Sequence, residues 1–458
     1  MTKDLTKDLT TGRPLKLIFQ FAIPVLMGML LQQVYALVDT AIVGRTLGVL
    51  ALGGVGATGS LNFMVIGFCN GLCSGLSIPV AQAFGAGDEG QLRRYVANGV
   101  MLCAAIASVM LLAILPNCRR ILTLMNTTKE QFGFAYSYIF IIFCGVPATM
   151  LYNLTAGILR ALGDSKTPVR FLALSSALNI VLDLVTILVF NMGVAGAALA
   201  TVVSQLISGL ACLVYMKKHF PILHMEKPDW KPLRKELSTL FGQGVPMGLQ
   251  FSITAIGSVM LTSAVNSLGP RYVSASASSN KINHIFLCGY QAIGATSANF
   301  CGQNLGAKQY DRIRQGVHSC LMLATVFACI HVITVWFGTR LFLLLFLRAE
   351  EIGQVIDLVR LNTICYALGG FVLQFIESYR QAIQGMSFTK LALCAGMLEM
   401  IMRTLCAVWG VPNYGYLAAA LSGTMAWVAA SAFLVPTFYL CLRKRRREGG
   451  MLRVKSGK

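Results

Sequence analysis

Charge is what this sequence has least of. Only 12% of its 458 residues are Asp, Glu, Lys or Arg, about half the roughly 25% of an ordinary soluble domain, while 56% are hydrophobic. Too few charged side chains remain to cover a water-facing surface, so a soluble domain is excluded. No secretory leader is expected. Met1 to Lys16 is polar and mixed in charge, without a short apolar core and cleavage site. The five histidines (His219, His224, His284, His318 and His331) are scattered, so no metal-ligand cluster can be assembled. No Ser–His–Asp or Cys–His arrangement can be argued either. The fourteen cysteines fall almost entirely inside apolar runs. Cys69 and Cys73 are spaced wrongly for a redox or zinc knuckle, and only Cys118 falls in a predicted external loop, so no disulfide framework is expected. Gly85-Ala-Gly87-Asp-Glu-Gly90 satisfies the dinucleotide pattern in letter but follows a membrane helix rather than a strand, and reads as a turn. No cofactor and no metal are expected.

What the chain has in abundance is long apolar runs. Twelve spans are expected, at 17–43, 51–83, 95–115, 132–159, 168–190, 194–216, 237–267, 272–304, 316–338, 353–379, 388–410 and 415–442. Each is long enough to cross the roughly 30 Å hydrocarbon core as a helix, and 272–304 is the most polar. The fold class is an all-α polytopic membrane protein.

The 38 basic residues suggest nucleic acid until their placement is considered. Twenty-eight fall on the side where the chain starts, from Lys3, Lys7 and Arg13 through Arg312 and Arg380 to the tail Arg443–Arg447, Arg453, Lys455 and Lys458. The opposite side holds seven: Arg45, Arg119, Arg120, Lys129, Arg271, Arg340 and Arg348. This is the positive-inside pattern. It implies a multi-pass protein of the cytoplasmic (inner) membrane with both termini in the cytoplasm. The run Arg443 to Arg447 then reads as an anchor on anionic lipid heads, with membrane lipids as partners and no nucleic acid. A monomer is expected to suffice.

The sequence resembles itself at an offset of about 222 residues. Gln82-Ala-Phe-Gly85-Ala86 with Arg93 and Arg94 matches Gln303-Asn-Leu-Gly306-Ala307 with Arg312 and Arg314. Ile23-Pro24 matches Val245-Pro246, and Gly163, Ser165 and Thr167 match Gly385, Ser387 and Thr389. Both copies start on the same side and hold six spans. The expectation is two six-helix lobes related by a pseudo-twofold axis along the membrane normal, with a cavity between them. Residues 1–218 form the first lobe, 219–236 a basic linker, 237–442 the second lobe and 443–458 a basic tail.

Ionisable groups inside spans cost at least about 2.5–3.5 kcal/mol each on insertion scales, so each needs a reason. Asp39 lies five residues before Gly44, roughly 8 Å below the outer boundary of span one. Asn179 and Asp183 share one face of span five, with Asp183 about 10 Å deep. Thr201 enters span six at a similar depth. Four oxygen-bearing side chains from three helices therefore converge on one layer of the first lobe. Desolvation and a second carboxylate nearby both oppose ionisation, so one of the acids is expected to hold a proton and to release it when a cation enters. The alternative is that Asp183 only bonds helices together.

The second half differs. Ile401 and Leu405 stand where the offset pairs Asn179 and Asp183, and Glu399 and Arg403, four apart, are placed to neutralise one another. Lys281 and Glu377 read as single buried charges that could meet each other, line the cavity or contact substrate.

On these landmarks the chain resembles the multidrug and toxic compound extrusion family, whose wider group includes lipid-oligosaccharide flippases. The most specific string is Arg160-Ala-Leu-Gly-Asp164-Ser-Lys-Thr-Pro168. Pro24, Gln33, Asp39, the Gln82 to Asp88 turn and Gln303 to Ala307 add to it. It is most similar to the DinF-like branch. That resemblance implies a coupling-ion site for a proton or sodium ion on Asp39, Asn179, Asp183 and Thr201, with Tyr35 and Tyr138 as network partners. It also implies alternating access, for which Pro24 offers a hinge in span one. Export of small amphipathic, cationic compounds by cation antiport follows, with Met27, Met29, Phe63, Met64 and Tyr35 offered as an adaptable apolar cavity wall. Two alternatives stand beside this: a flippase or exporter of a lipid-linked or other endogenous metabolite, and an intramembrane enzyme using Asp39 and Asp183 as an aspartyl dyad.

Overall fold

A computed structural model describes residues 8–125, 127–344 and 349–456; Lys3, Lys7, Arg348 and Lys458 of the charge pattern lie outside them. Every element among these residues is helical, because hydrocarbon offers no partner for a free N–H or C=O. The first helices are α1 (Pro14–Ala57), α2 (Gly59–Gly85), α3 (Glu89–Ile114), α4 (Cys118–Leu124), α5 (Lys129–Cys144) and α6 (Val146–Ala161). Then come α7 (Lys166–Leu184), α8 (Val194–His219), α9 (Arg234–Asn266), α10 (Pro270–Gly306) and α11 (Tyr310–Leu344). The chain ends with α12 (Ala349–Phe375), α13 (Gln381–Gly385), α14 (Thr389–Leu405), α15 (Val411–Tyr414) and α16 (Tyr416–Ser456). Three π-helical segments, Val185–Val189, Ile376–Arg380 and Cys406–Gly410, extend α7, α12 and α14.

Among the described residues, ten helical stretches are long and apolar enough to cross a bilayer by themselves, and α5 with α6 forms an eleventh, bent by 46°. Gly145 sits at that bend. A Cβ there would lie 2.2 Å from Val202 Cγ2 of α8, so only glycine admits the approach. Pro147, in the first turn of α6, has no N–H with which to continue α5. The twelfth span is α10, whose 37 residues make it long enough although polar side chains lower its hydropathy. The protein is a twelve-span, all-α membrane protein.

Contacts divide the chain into two compact units. Met27–Ser252 belongs to the first, and Leu9–Leu26 with the chain from Ile253 onward to the second. Helices α1 and α9 therefore each contribute to both. In the first unit α2 packs on α6, and α5, α6 and α7 all pack on α8. A Cβ on Gly71 or Gly75 of α2 would fall 2.5 and 2.7 Å from the backbone oxygens of Met247 and Gln243 in α9, the close approach that small residues permit in membranes. The basic stretch before α9 is pinned. Asn98 donates to the Lys231 carbonyl at 3.3 Å and accepts from the Leu233 N–H at 3.2 Å, and Arg93 meets Asp229 at 3.5 Å.

In the second unit α11 and α16 pack on α12, and α10 on α11 and α12. Its interior is aromatic. Phe286 stacks on fully buried His331 with centroids 4.0 Å apart, Tyr290 Oη lies 3.3 Å from His331 Nδ1, and Tyr366 meets Trp427 edge-on. The segment before α1 docks here as well: the Leu9 N–H donates to Gln303 Oε1 at 2.9 Å, and Arg312 Nη1 donates to the Gly12 carbonyl at 2.8 Å.

The repeat is written in the backbone. Left-handed residues recur as Gly48 and Gly269, Gly87 and Lys308, Gly163 and Ser387, Gly193 and Gly415, at separations of 221, 221, 224 and 222 residues. Gly193 and Gly415 share φ 60° with ψ −141° and −142°, each a few residues beyond a π segment.

Two placements expected from sequence are corrected. Arg380 is not a loop residue on the starting side: span ten runs on through the π segment to Gly385, which buries Arg380. Lys281 is exposed, not buried.

Candidate functional site

Four elements of the first unit carry the candidate residues: α1 holds Tyr35 and Asp39, α5 holds Tyr138, α7 holds Asn179 and Asp183, and α8 holds Thr201. Helices α7 and α8 are zipped by small polar side chains. Ser175 Oγ donates to the Ser204 carbonyl at 2.8 Å, and Ser208 Oγ to the Phe171 carbonyl at 3.1 Å. Gly196 brings α8 so near the π segment that a Cβ would lie 2.8 Å from Thr186 Oγ1. This seam sets the rotation of α7 and turns Asn179 and Asp183 inward, where both are buried. The π segment begins two residues after Asp183, and such wide turns frequently accompany functional positions.

The site is a layer of acceptors. The Asp39 and Asp183 carboxylates lie close enough to interact electrostatically. Both Asp183 oxygens, Asp39 Oδ1 and Asn179 Oδ1 are buried without a donor. Asn179 Nδ2 donates to Thr201 Oγ1 at a long 3.4 Å, and Thr201 Oγ1 donates to the Ala197 carbonyl at 3.1 Å. Tyr35 lies within Coulomb reach of Asp39, and Tyr138 within reach of Asp39, Tyr35 and Asp183. Among the described residues neither aspartate has an ion pair. An ionised carboxylate only accepts, so two of them stay in contact when a proton or a cation stands between them. The donors are hard oxygens, which suit a proton or a hard cation rather than a soft metal.

Two members of the layer escaped the sequence. Gln205 lies beside Tyr35, and Thr149 Oγ1 donates to Gln205 Oε1. The signal for Gln205 was available, since it follows Thr201 by four residues on α8 and so shares its face. Thr149 reaches the layer only because the chain bends at Gly145, which periodicity does not reveal.

The remaining candidates lie elsewhere. Helix α1 runs unbroken through Pro24, whose ring leaves the Gln20 carbonyl without its helical donor. Met27, Phe63 and Met64 are exposed apolar side chains. Glu377 is buried in an ion network of the second unit and not on an open wall. Arg380 bonds Glu377 at 2.6 Å and Glu399 at 2.9 Å, while Arg403 reaches Glu399 at 3.7 Å and Ser258 Oγ at 3.1 Å. Glu399 and Arg403 do pair, but Arg380 is the nearer partner.

The MatE family matches residues 24–185 and, a second time, residues 246–409. The chain belongs to this family. Its two matches begin 222 residues apart, the offset of the internal repeat. Members are transporters, so the aspartyl-enzyme alternative falls. The chain is 32% identical over 308 residues to the probable multidrug resistance protein YpnP of Bacillus subtilis, covering 67% of this chain and 68% of that one. It is 22% identical over 398 residues to an FAD transporter of Shewanella oneidensis, covering 84% and 86%. In fold it matches a crystal structure of MATE in complex with MaL6, with TM-score 0.89 and 21% identity over 96% of this chain and 98% of that one. A MOP superfamily transporter from Pyrococcus furiosus matches equally, with TM-score 0.89 and 21% identity over 96% and 98%.

Proposed function

We propose that this MatE-family transporter is a cation-coupled antiporter that exports small amphipathic, cationic compounds by alternating access. A proton or sodium ion binds at Asp39, Asn179, Asp183 and Thr201, with Tyr35 and Tyr138 as partners, and its entry displaces substrate. The observation that carries this reading is the approach of Asp39 and Asp183, two acceptors whose buried oxygens have, among the described residues, no basic side chain to neutralise them. Such a contact costs free energy unless a mobile cation completes it, and a mobile cation is what coupling requires. The names of the Bacillus relatives, probable multidrug resistance proteins, support a broad substrate range. The excess of basic residues on the starting side supports an inner-membrane protein with cytoplasmic termini, and the motif resemblance supports the DinF-like branch. Pro24 remains the proposed hinge, and Met27, Phe63 and Met64 the proposed apolar wall.

The test is ethidium efflux from reconstituted vesicles with pH and sodium gradients imposed separately. Asp39→Asn and Asp183→Asn keep side-chain volume and remove the charge. Each is expected to cut gradient-driven efflux by about a hundredfold or more, equivalent to about 2.7 kcal/mol. Wild-type efflux in both variants overturns the site.

A second reading, export of an anionic endogenous metabolite, is favoured by one observation: Arg403 is a partly exposed cation of the second unit. The resemblance to an FAD transporter agrees with it. Efflux of FAD in preference to ethidium from the same vesicles would decide for it.

A further inference from the structure

The repeat puts two turns of the same backbone path side by side for comparison. In the first unit the turn between α2 and α3 uses Gly87 at φ 70°, and Asp88 caps α3 by accepting from the Gln91 N–H at 2.9 Å. In the second unit the matching turn, between α10 and α11, places Lys308 at φ 58° and Gln309 after it. A lysine thus occupies a left-handed position that glycine fills without strain, and a neutral amide stands where the first copy has its own carboxylate. The second copy has exchanged an anion for a cation at one turn.

That exchange opens onto a groove of about 510 Å3, whose lining includes Lys308, Tyr310, Asp311, Arg312, Arg446 and Gly449. Three cations face one acid. Arg446 meets Asp311 at 3.5 Å, but both side chains are mostly exposed, so this pair is weak. Tyr310 forms a close wall: a Cβ on Gly449 would lie 2.1 Å from its hydroxyl. Arg312 is braced by Asn304 and by the carbonyls of Leu9 and Gly12, so its charge is fixed in place. The groove also lies at a particular depth. Leu440 of α16 and Met322 of α11 are exposed apolar residues. Arg446 and Gln315 lie six and seven residues beyond them, on the order of 10 Å further along their helices. The bilayer's polar layer adds about 5–8 Å on each side of its core, so the groove lies one to two helical turns past lipid-facing apolar residues, within reach of a headgroup phosphate.

We propose that this groove is a binding site for the phosphate of an anionic phospholipid headgroup, held by Lys308 and Arg446 with Arg312 as a fixed charge behind them. It is narrower than a general attraction of the basic tail to the membrane. Arg445 takes no part, because it donates to the Met386 carbonyl at 2.9 Å and pairs with Glu448 at 3.0 Å.

The experiment is native mass spectrometry of the purified full chain from micelles doped with dioleoylphosphatidylglycerol or dioleoylphosphatidylcholine. The variants are Lys308→Gly, Arg446→Gln, their combination, and Lys390→Gln as an exposed cation outside the groove. Lys308→Gly relieves the left-handed strain, so misfolding does not confound it, and a melting curve checks each protein. Wild type is expected to retain phosphatidylglycerol adducts in preference to phosphatidylcholine. Each groove cation contributes about fivefold near an anionic surface, so the double variant should bind about tenfold or more weakly and Lys390→Gln as wild type. Equal retention by the double variant, equal loss in Lys390→Gln, or no preference for the anionic lipid overturns the site. Complete displacement of the lipid by inorganic phosphate overturns the lipid source and assigns the groove to the free anion.

Discussion

Where the first half of the chain carries Asp183, two residues before a π segment, the second half carries Leu405 directly before its own. The backbones match there down to the glycines that follow, yet the buried charge is handled in opposite ways. In the first unit, Asp39 approaches Asp183, and among the described residues neither has an arginine or lysine partner. In the second, two glutamates and two arginines form a self-neutralising chain on α14 and the π segment between α12 and α13. A duplicated fold has kept its turns and diverged in how its buried acids are balanced. On the proposed reading, the acid pair without a counter-charge is the part that exchanges ions, whereas the balanced network has its partners built in.

This contrast can be broken experimentally. The largest effect is on transport: Asp183→Asn should abolish gradient-driven efflux, while Glu377→Gln combined with Arg380→Met and Glu399→Gln should leave coupling intact. Comparable losses from both would erase the distinction between the units. Stability should run the other way. Arg380→Met alone strands buried Glu377 and leaves Glu399 only the longer Arg403 pair, and should cost about 3–5 kcal/mol. The triple neutral variant should recover most of that loss, and Asp183→Asn should be neutral or stabilising, all read by thermal unfolding in detergent. Next in size, Gly145→Ala forces a methyl against Val202 and should cost about 1–3 kcal/mol as an overpacked contact, with a matching loss of efflux because Thr149 is displaced from Gln205. The smallest effect is expected from Thr201→Val. It removes a long hydrogen bond, worth about 0.5–1.5 kcal/mol or less, and should weaken ion affinity severalfold without lowering the melting temperature appreciably.

Much of this was legible in the amino-acid order. The spans are visible because hydrocarbon demands long apolar runs, and even the polar α10 is recognisable by its length. Asp39, Asn179 and Asp183 can be placed at one depth because helical rise is constant, and the structure sets Asp39 near Asp183 and Asn179 on Thr201. Arg380 was misplaced because a π segment carries span ten past the point where hydropathy falls, and hydropathy does not register how a helix winds. Lys281 was misjudged for a related reason: membership of a span does not say which face a side chain takes. Gln205 was readable from its spacing. The bend at Gly145 depends on a contact with Val202, which no local pattern encodes.

The measurement that bears most directly on the Asp39–Asp183 contact is infrared difference spectroscopy of the purified protein as pH or sodium concentration is changed. A shared proton predicts a protonated-carboxyl band in wild type that disappears on raising pH or adding sodium and is missing from both Asp39→Asn and Asp183→Asn. A band unchanged in either variant, or no band at any pH together with no response to sodium, would contradict the account.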